Sequence, residues 1–272
     1  MQKTGAPLRV AIAGLGAVGL KLAEEIDKGI PGLKLVAVSA KNIDAAKERL
    51  HHLKALPQVV DVAALEPLAD IVIECAPAAL VRQIVEPFVR TGKTAIVLSC
   101  GALLNNMDLV EIAKTHRGQI GVPTGALLGL DAVTAAAEGT IRSVTMVTRK
   151  PVKGLMGAPF LEQNNIKIDD IKAPMKIFSG SPREAAVGFP ANLNVAVALG
   201  LAGIGVDKTT LEIWADPGID RNTHSIQVDA DSASFSMTIG NIPSENPKTG
   251  RITALSVIAY LRKINAPLRV GT

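Results

Sequence analysis

The chain has 272 residues, 48% of them hydrophobic and 20% charged. That composition is globular, long enough for two ordinary domains, and excludes a disordered or fibrous protein. Aromatic residues make up 3%, too few for a nucleic-acid reader that stacks bases on rings. The 29 basic and 25 acidic side chains leave a net charge of +4. No dense Lys/Arg block accompanies it, so the charge is a mild bias and not a polyanion grip.

In chain order, Leu8–Ala13 is a short apolar run that reads as a strand, and Ala17–Asp27 has helical spacing. Lys3 and Arg9 ahead of the apolar stretch Val10 to Leu20 imitate a secretion signal. Glycines 14, 16 and 19, followed by Lys21, Glu24 and Glu25, fit strand, turn and helix better. Leu33–Val38 is again strand-like and Asp44–Leu53 is a charged helix. Strand Asp70–Glu74, helix Leu80–Val89 and strand Ala95–Leu98 continue the series, and a polar helix ends at His116. Strands alternating with helices predict a doubly wound parallel sheet with right-handed crossovers.

The pattern changes after Pro123. A Gly- and Ala-rich helix is expected over Ala126–Ala137, followed by an alternating strand over Ile141–Thr148. Later come strand Lys176–Phe178, an apolar helix over Pro190–Leu201, and strands Thr210–Trp214, Ser225–Val228 and Ser234–Ile239. Alternating strands have one wet face, as in open antiparallel sheets. The fold class is therefore α/β, with an N-terminal Rossmann-like sheet and a second α+β domain on a largely antiparallel sheet. The expected boundaries are 1–123 and 124–250, with a C-terminal helical segment, 251–272, packing back on the first domain.

Ala185 to Val206 carries no charge and is long enough to cross a bilayer. Pro190, Asn192 and Asn194 interrupt it, so it reads as a buried helix with polar residues at its start, and no membrane partner is expected. Cys75 and Cys100 each follow a strand-like run. They read as buried reduced thiols, which fits the cytoplasm, and a metal or disulfide site would need more ligands.

Gly14-Leu15-Gly16-Ala17-Val18-Gly19 is a G-x-G-x-x-G string directly after a strand and opening a helix, the context a dinucleotide-binding loop requires. Gly14 permits the tight turn, Gly16 lets the backbone approach a pyrophosphate, and Gly19 lets helix and strand pack closely. The helix N-terminus offers amides and the positive end of a dipole to the phosphates. An Asp or Glu at the end of the second strand would bond the ribose and repel a 2′-phosphate. This chain has Ser39, Ala40 and Lys41 there, so NADP should be accepted and NAD used as well. Ala76-Pro77 and Ser99-Cys100-Gly101 fall at carboxyl ends of parallel strands, where ligands bind in such sheets, and should wall the nicotinamide side.

A dehydrogenase needs a group to move a proton while the hydride moves, and His titrates in the right range. Of the four histidines, His51 and His52 end a charged helix and His116 ends a polar one, all reading as surface groups. His224 stands in the turn-rich segment Asp216 to His224 leading into a strand of the second half, and is the candidate catalytic residue.

Several second-half strings are long enough to be specific. They are Pro123-Thr124-Gly125-Ala126-Leu127-Leu128-Gly129-Leu130-Asp131, Arg149-Lys150-Pro151, and Phe189-Pro190-Ala191-Asn192-Leu193-Asn194-Val195-Ala196. With them go Asp216-Pro217 through Arg221-Asn222-Thr223-His224 and Asn246-Pro247-Lys248-Thr249. Together they resemble the L-aspartate dehydrogenase family, nearly end to end. The resemblance implies a Rossmann domain plus an α+β catalytic domain, a homodimer, and NAD(P)-dependent deamination of L-aspartate to iminosuccinate. Iminosuccinate hydrolyses to oxaloacetate and ammonia, the reverse reductive amination is also implied, and the product links the family to NAD biosynthesis. It also implies that His224 is the active-site histidine and that Ala126 and Asn194 contact the cofactor. Thr124 replaces the family's common Ser but keeps a hydroxyl, whereas Gly250 stands where a Ser is common.

A dicarboxylate needs cationic or N–H partners at both ends. Among the basic residues of these motifs, Lys150, Arg221 and Lys248 are expected at the substrate, as are Thr124 and Asn192. Asn192 and Asn194 at the start of an apolar helix are costly unless bonded, which suits cofactor or substrate. Asp216 and Asp220 most simply serve a turn, though one could orient His224. The competing readings are a dihydrodipicolinate reductase, a relative acting on another amino or imino acid, and an NAD(P)-binding sensor without catalysis.

Overall fold

The computed structural model describes residues 6–189, 193–243 and 250–271. Asn192 and Lys248 lie outside the described residues. The chain divides into two compact units, one running to Pro123 and including Ala254–Arg269, the other formed by Thr124–Thr253 and 270–272.

The first unit contains β1 (Leu8–Ala13), α1 (Ala17–Gly29), β2 (Leu33–Ser39), α2 (Ile43–Leu50), β3 (Gln58–Val60) and β4 (Ile71–Glu74). Then follow α3 (Val81–Arg90), β5 (Thr94–Val97), α4 (Asp108–His116) and β6 (Gln119–Gly121). Six strands form one parallel sheet in the order β3-β2-β1-β4-β5-β6. The order reverses between β1 and β4, the switch point at which open α/β sheets bind ligands beyond their carboxyl ends. Central strands covered on both faces read as unbroken apolar runs, and Val10–Ala13 and Ile71–Ile73 are buried throughout. β3 and β6 escaped the sequence reading because each is a three-residue edge strand, too short to show a period.

The last helix among the described residues, Ile252–Asn265, sets Val257, Ile258 and Leu261 into the core with Val10, Ile12 and Leu22. Its Tyr260 lies where any side chain on Gly121 would stand, which explains a glycine at the end of β6.

The second unit has α5 (Leu130–Ala137), β7 (Ile141–Lys150), α6 (Pro159–Gln163), β8 (Met175–Gly180), α7 (Pro182–Gly188) and α8 (Asn194–Ala202). β9 (Thr210–Ala215), β10 (Thr223–Ala230) and β11 (Ser234–Gly240) follow. The strand order is β11-β10-β7-β9-β8. Neighbours are antiparallel except β7 and β9, which are parallel, so the sheet is mixed.

Period-two alternation buries one face: Val144 and Met146 on β7, Ile226 and Val228 on β10, Leu211 and Ile213 on β9. Helix α5 begins at Leu130, not at Ala126, because Gly125 (φ 61°) and Gly129 (φ 66°) are left-handed and turn 124–129 into a loop. α7 is opened by a capping box, in which Ser181 and Glu184 bond each other's main-chain amides. The long uncharged stretch is divided between the end of α7 and α8. Among the described residues no helix is long and apolar enough to cross a membrane.

Candidate active site

The first unit's sheet ends in a set of loops whose shape is decided by backbone. Gly14 has φ 100°, and a Cβ there would sit 2.6 Å from the Cys75 carbonyl oxygen and 2.8 Å from the Ala76 nitrogen. Both the left-handed angle and the collision demand glycine. A Cβ on Gly19 would run into the Gly14 carbonyl, so α1 can approach β1 this closely only without one. A Cβ on Gly16 would meet nothing, so the space in front of it is open.

Gly16 is also the N-cap of α1, no side chain caps that end, and no acidic residue lies in its first turn. An uncapped helix N-terminus facing open space suits a pyrophosphate, and this is the observation on which a dinucleotide fits. The Gly14 amide donates to the Ser39 carbonyl (2.9 Å), and the Arg49 guanidinium donates to the Leu15 carbonyl, fixing the loop from both sides. Leu15 itself is buried, whereas Ala17 is exposed and Val18 half-buried. Arg49 is absent from the sequence reading, since nothing local links a charge in α2 to the loop after β1.

Ser39 is only 2% exposed, so its hydroxyl has little surface to offer a 2′-phosphate. Lys41 is exposed and is the polar group available at that edge. Ala76, Ser99 and Gly101 are half-buried and Pro77 exposed. Cys100 is buried, and burial pushes its thiol up to about 12. A side chain so placed turns inward, so Cys100 can wall a ligand only through its backbone. Both cysteines are free thiols.

The second unit's sheet ends differently. Along its buried face the apolar stripe gives way to polar side chains: Thr148 and Lys150 on β7, and His224 on β10. β7 runs beyond the Thr148 end that the alternation predicts, to Lys150, which pairs with Ala215 of β9. His224 is 4% exposed and Lys150 5% exposed. His224 is register partner to Thr148, and its Nδ1 lies 3.1 Å from the Thr148 hydroxyl.

Burial, helped by the charge of Lys150, lowers His224 to about 3. The imidazole is therefore neutral at neutral pH and, so depressed, a weak base. Burial alone lowers Lys150 to about 8, leaving it charged at neutral pH.

Asn241, also buried, donates its amide to the Ala126 carbonyl (2.8 Å), tying the end of β11 to the 124–129 turn. Among the described residues its Oδ1 has no hydrogen-bond partner. A Cβ on Gly250 would lie 2.9 Å from that oxygen.

Asp216 serves a turn, whereas Asp220 pairs with its neighbour. Asp216 Oδ1 accepts from the Gly218 amide (2.9 Å), and its other oxygen pairs with Arg149 at 3.4 Å. Asp220 pairs with Arg221 at 3.0 Å, both largely exposed. Thr148, not an aspartate, is the hydrogen-bond partner of His224 Nδ1. Sequence reading missed Thr148 and Asn241 because only strand register brings them to the site. Thr124 is half-buried, its carbonyl accepting the Leu127 amide at 3.0 Å, and Asn194 opens α8. His51, His52 and His116 are exposed.

Residues 131–264 match the family model described as aspartate dehydrogenase, C-terminal. Residues 14–123 match homoserine dehydrogenase, NAD binding domain. The L-aspartate dehydrogenase of Bradyrhizobium diazoefficiens is 59% identical over 271 residues, spanning 100% of this chain and 96% of that protein. The chain belongs to the L-aspartate dehydrogenase family.

L-aspartate dehydrogenase 3 of Bordetella bronchiseptica is 58% identical over 97% of this chain and 98% of its own length. In fold, the crystal structure of aspartate dehydrogenase from Thermotoga maritima superposes with a TM-score of 0.75, at 24% identity, covering 97% of this chain and 99% of that one. As an L-aspartate dehydrogenase the protein is an enzyme with an NAD(P)-binding domain, and the sensor and dihydrodipicolinate-reductase readings fall.

Proposed function

We propose that the protein interconverts L-aspartate and iminosuccinate, with His224 moving the proton and Lys150 receiving a substrate carboxylate. The observation that carries this is the polar end of an otherwise apolar sheet face, where a neutral, register-fixed imidazole stands on the same face as a buried cation. When bound, the nicotinamide supplies the hydride acceptor at C4.

In the oxidative direction the Cα–H bond gives up its hydride, the nitrogen loses a proton to His224 Nε2, and the C=N bond forms. Thr148 at Nδ1 leaves Nε2 as the nitrogen available to the substrate. Once that proton has passed to solvent, the same base activates the water that adds to the imine, releasing oxaloacetate and ammonia. Dicarboxylate charge beside Lys150 offsets the cation that depresses His224, and so raises the imidazole's basicity as substrate binds. Arg221, exposed and paired with Asp220, is second to Lys150 as a carboxylate partner.

The glycine loop and the α1 N-terminus would hold the pyrophosphate. The residues after β4 and β5, with Ala126 and Asn194, would hold the rest of the cofactor. With no carboxylate at the end of β2 and Lys41 exposed there, NADPH and NADH should both serve. A homodimer, cytoplasmic residence and a contribution to NAD biosynthesis belong to the same reading.

The test is absorbance at the reduced-nicotinamide band. Oxaloacetate plus ammonia should consume NADPH and NADH, and L-aspartate should reduce both oxidised forms. Dinucleotide binding with no turnover of these substrates would transfer the proposal to another amino or imino acid.

A further inference from the structure

Glu74 is the last residue of β4, at the carboxyl edge of the parallel sheet, and is 0% exposed. Its carboxylate accepts four hydrogen bonds from two different loops. Oε1 takes the Ala76 amide (3.1 Å) and the Ser99 hydroxyl (3.0 Å). Oε2 takes the amides of Leu98 (3.1 Å) and Ser99 (2.8 Å). No cation pairs with it among the described residues. Burying a carboxylate this way is costly unless donors surround it, and burial does push Glu74 above the usual carboxylate range while these bonds pull it back.

The amides so gathered are those of the segments after β4 and β5, next to the switch point. Their position propagates further. Cys75 donates its amide to the Ala13 carbonyl (2.8 Å), and Gly14 packs so tightly on Cys75 and Ala76 that a Cβ would collide. One side chain therefore sets the relative placement of the loops after β4 and β5 on the ligand-binding edge, although it presents no surface itself, while the Gly14 turn that abuts them is held by its own bond to the Ser39 carbonyl.

We propose that Glu74 is a positioning residue for the nicotinamide end of the cofactor, acting through the main chain of Ala76 and Ser99. This rests on the reading that those loops wall the nicotinamide. Asp and Asn close single turns locally, whereas the longer Glu side chain spans two strand ends. A glutamine cannot replace it: its oxygen can keep two of the four donors and its NH2 can at best donate to the Ser99 hydroxyl, so at least one main-chain amide is left facing another N–H.

The experiment compares binding of NADH with binding of ADP-ribose, which has the pyrophosphate but no nicotinamide, in the full-length protein and in Glu74→Gln. Circular dichroism and thermal melting establish that the variant is folded. Loss of at least one charge-assisted bond, and of the charge that assists the others, should weaken NADH by roughly tenfold, with ADP-ribose changed less than about twofold. Equal weakening of both ligands, or unchanged NADH binding in a folded variant, overturns the proposal, because a residue serving only stability has no reason to distinguish them. If Glu74→Gln does not fold, Glu74→Asp keeps the charge but retracts it by one methylene, and the same pair of measurements decides. Failure of the unsubstituted protein to bind either ligand would overturn the cofactor reading itself, a result distinct from an indifferent Glu74 variant.

Discussion

The two units end their sheets in opposite ways. At the carboxyl edge of the parallel sheet the surface is made of main chain: glycines, an uncapped helix terminus, and amides gathered by one buried carboxylate. At the end of the mixed sheet it is made of side chains, Thr148, Lys150, His224 and Asn241, planted where apolar residues would otherwise continue. A phosphate is recognised by any well-placed row of N–H groups. Proton transfer needs one group of the right basicity in one place. The backbone edge should accordingly be damaged by adding a methyl group, and the side-chain edge by removing a functional one.

The largest effect expected of this contrast is at His224. His224→Ala should lower kcat by about two to four orders of magnitude while NADPH binding, measured by fluorescence, stays unchanged. Full turnover would remove His224 from the chemistry.

Next come the glycines, where two equal additions should act differently. Gly14→Ala forces φ 100° on a residue with a Cβ and drives it into the Cys75 carbonyl, so the melting point should fall by an amount corresponding to about 2–4 kcal/mol. Gly16→Ala meets only open space. It should melt normally and yet weaken NADH by about tenfold or more, as a methyl group does where the pyrophosphate must approach. Identical melting of the two variants would break the comparison.

A third prediction concerns charge. Succinate, a dicarboxylate without an amino group, isolates carboxylate recognition when used as a competitive inhibitor. Lys150 titrates near 8, so it is cationic below that pH and loses its charge above it. Succinate inhibition should therefore weaken as pH rises through about 8, and Lys150→Gln should bind succinate weakly at every pH. A pH-independent inhibition constant in the unsubstituted protein would remove Lys150 from the carboxylate site.

The smallest effect is at Thr148. Thr148→Val keeps the shape and deletes one neutral hydrogen bond, for a loss of about 0.5–1.5 kcal/mol. Steady-state kinetics should show it as a kcat about three- to tenfold lower with little change in KM. No change in kcat would mean that packing alone holds the imidazole.

Much of this was legible in one chain. The glycine loop is recognisable because its demands are local: a left-handed turn, a close approach and a helix start all fall within six consecutive residues. His224 stood out by elimination, since the other three histidines sit at helix ends. Arg49, Glu74, Thr148 and Asn241 were not legible. Each acts on a partner far along the chain, Thr148 on a histidine 76 residues away and Asn241 on a carbonyl 115 residues away. Composition carries no record of which strands become neighbours. The 126–137 helix began late for a related reason, as two glycines can sit inside a helix at modest cost or break it at a left-handed turn.

The sequence by itself determined the local rules: strand and helix order, the dinucleotide loop, the absence of a repelling carboxylate after β2, and the histidine most suited to proton transfer. Tertiary structure alone decided which side chains meet. Strand register carried Thr148 to His224, the extension of β7 made Lys150 a buried cation instead of a surface charge, and the β4–β5 pairing put one carboxylate within reach of two loops. The physical reason is range. Backbone preferences act over a few residues, whereas basicity and positioning depend on burial and on partners that only a folded sheet brings within hydrogen-bond distance.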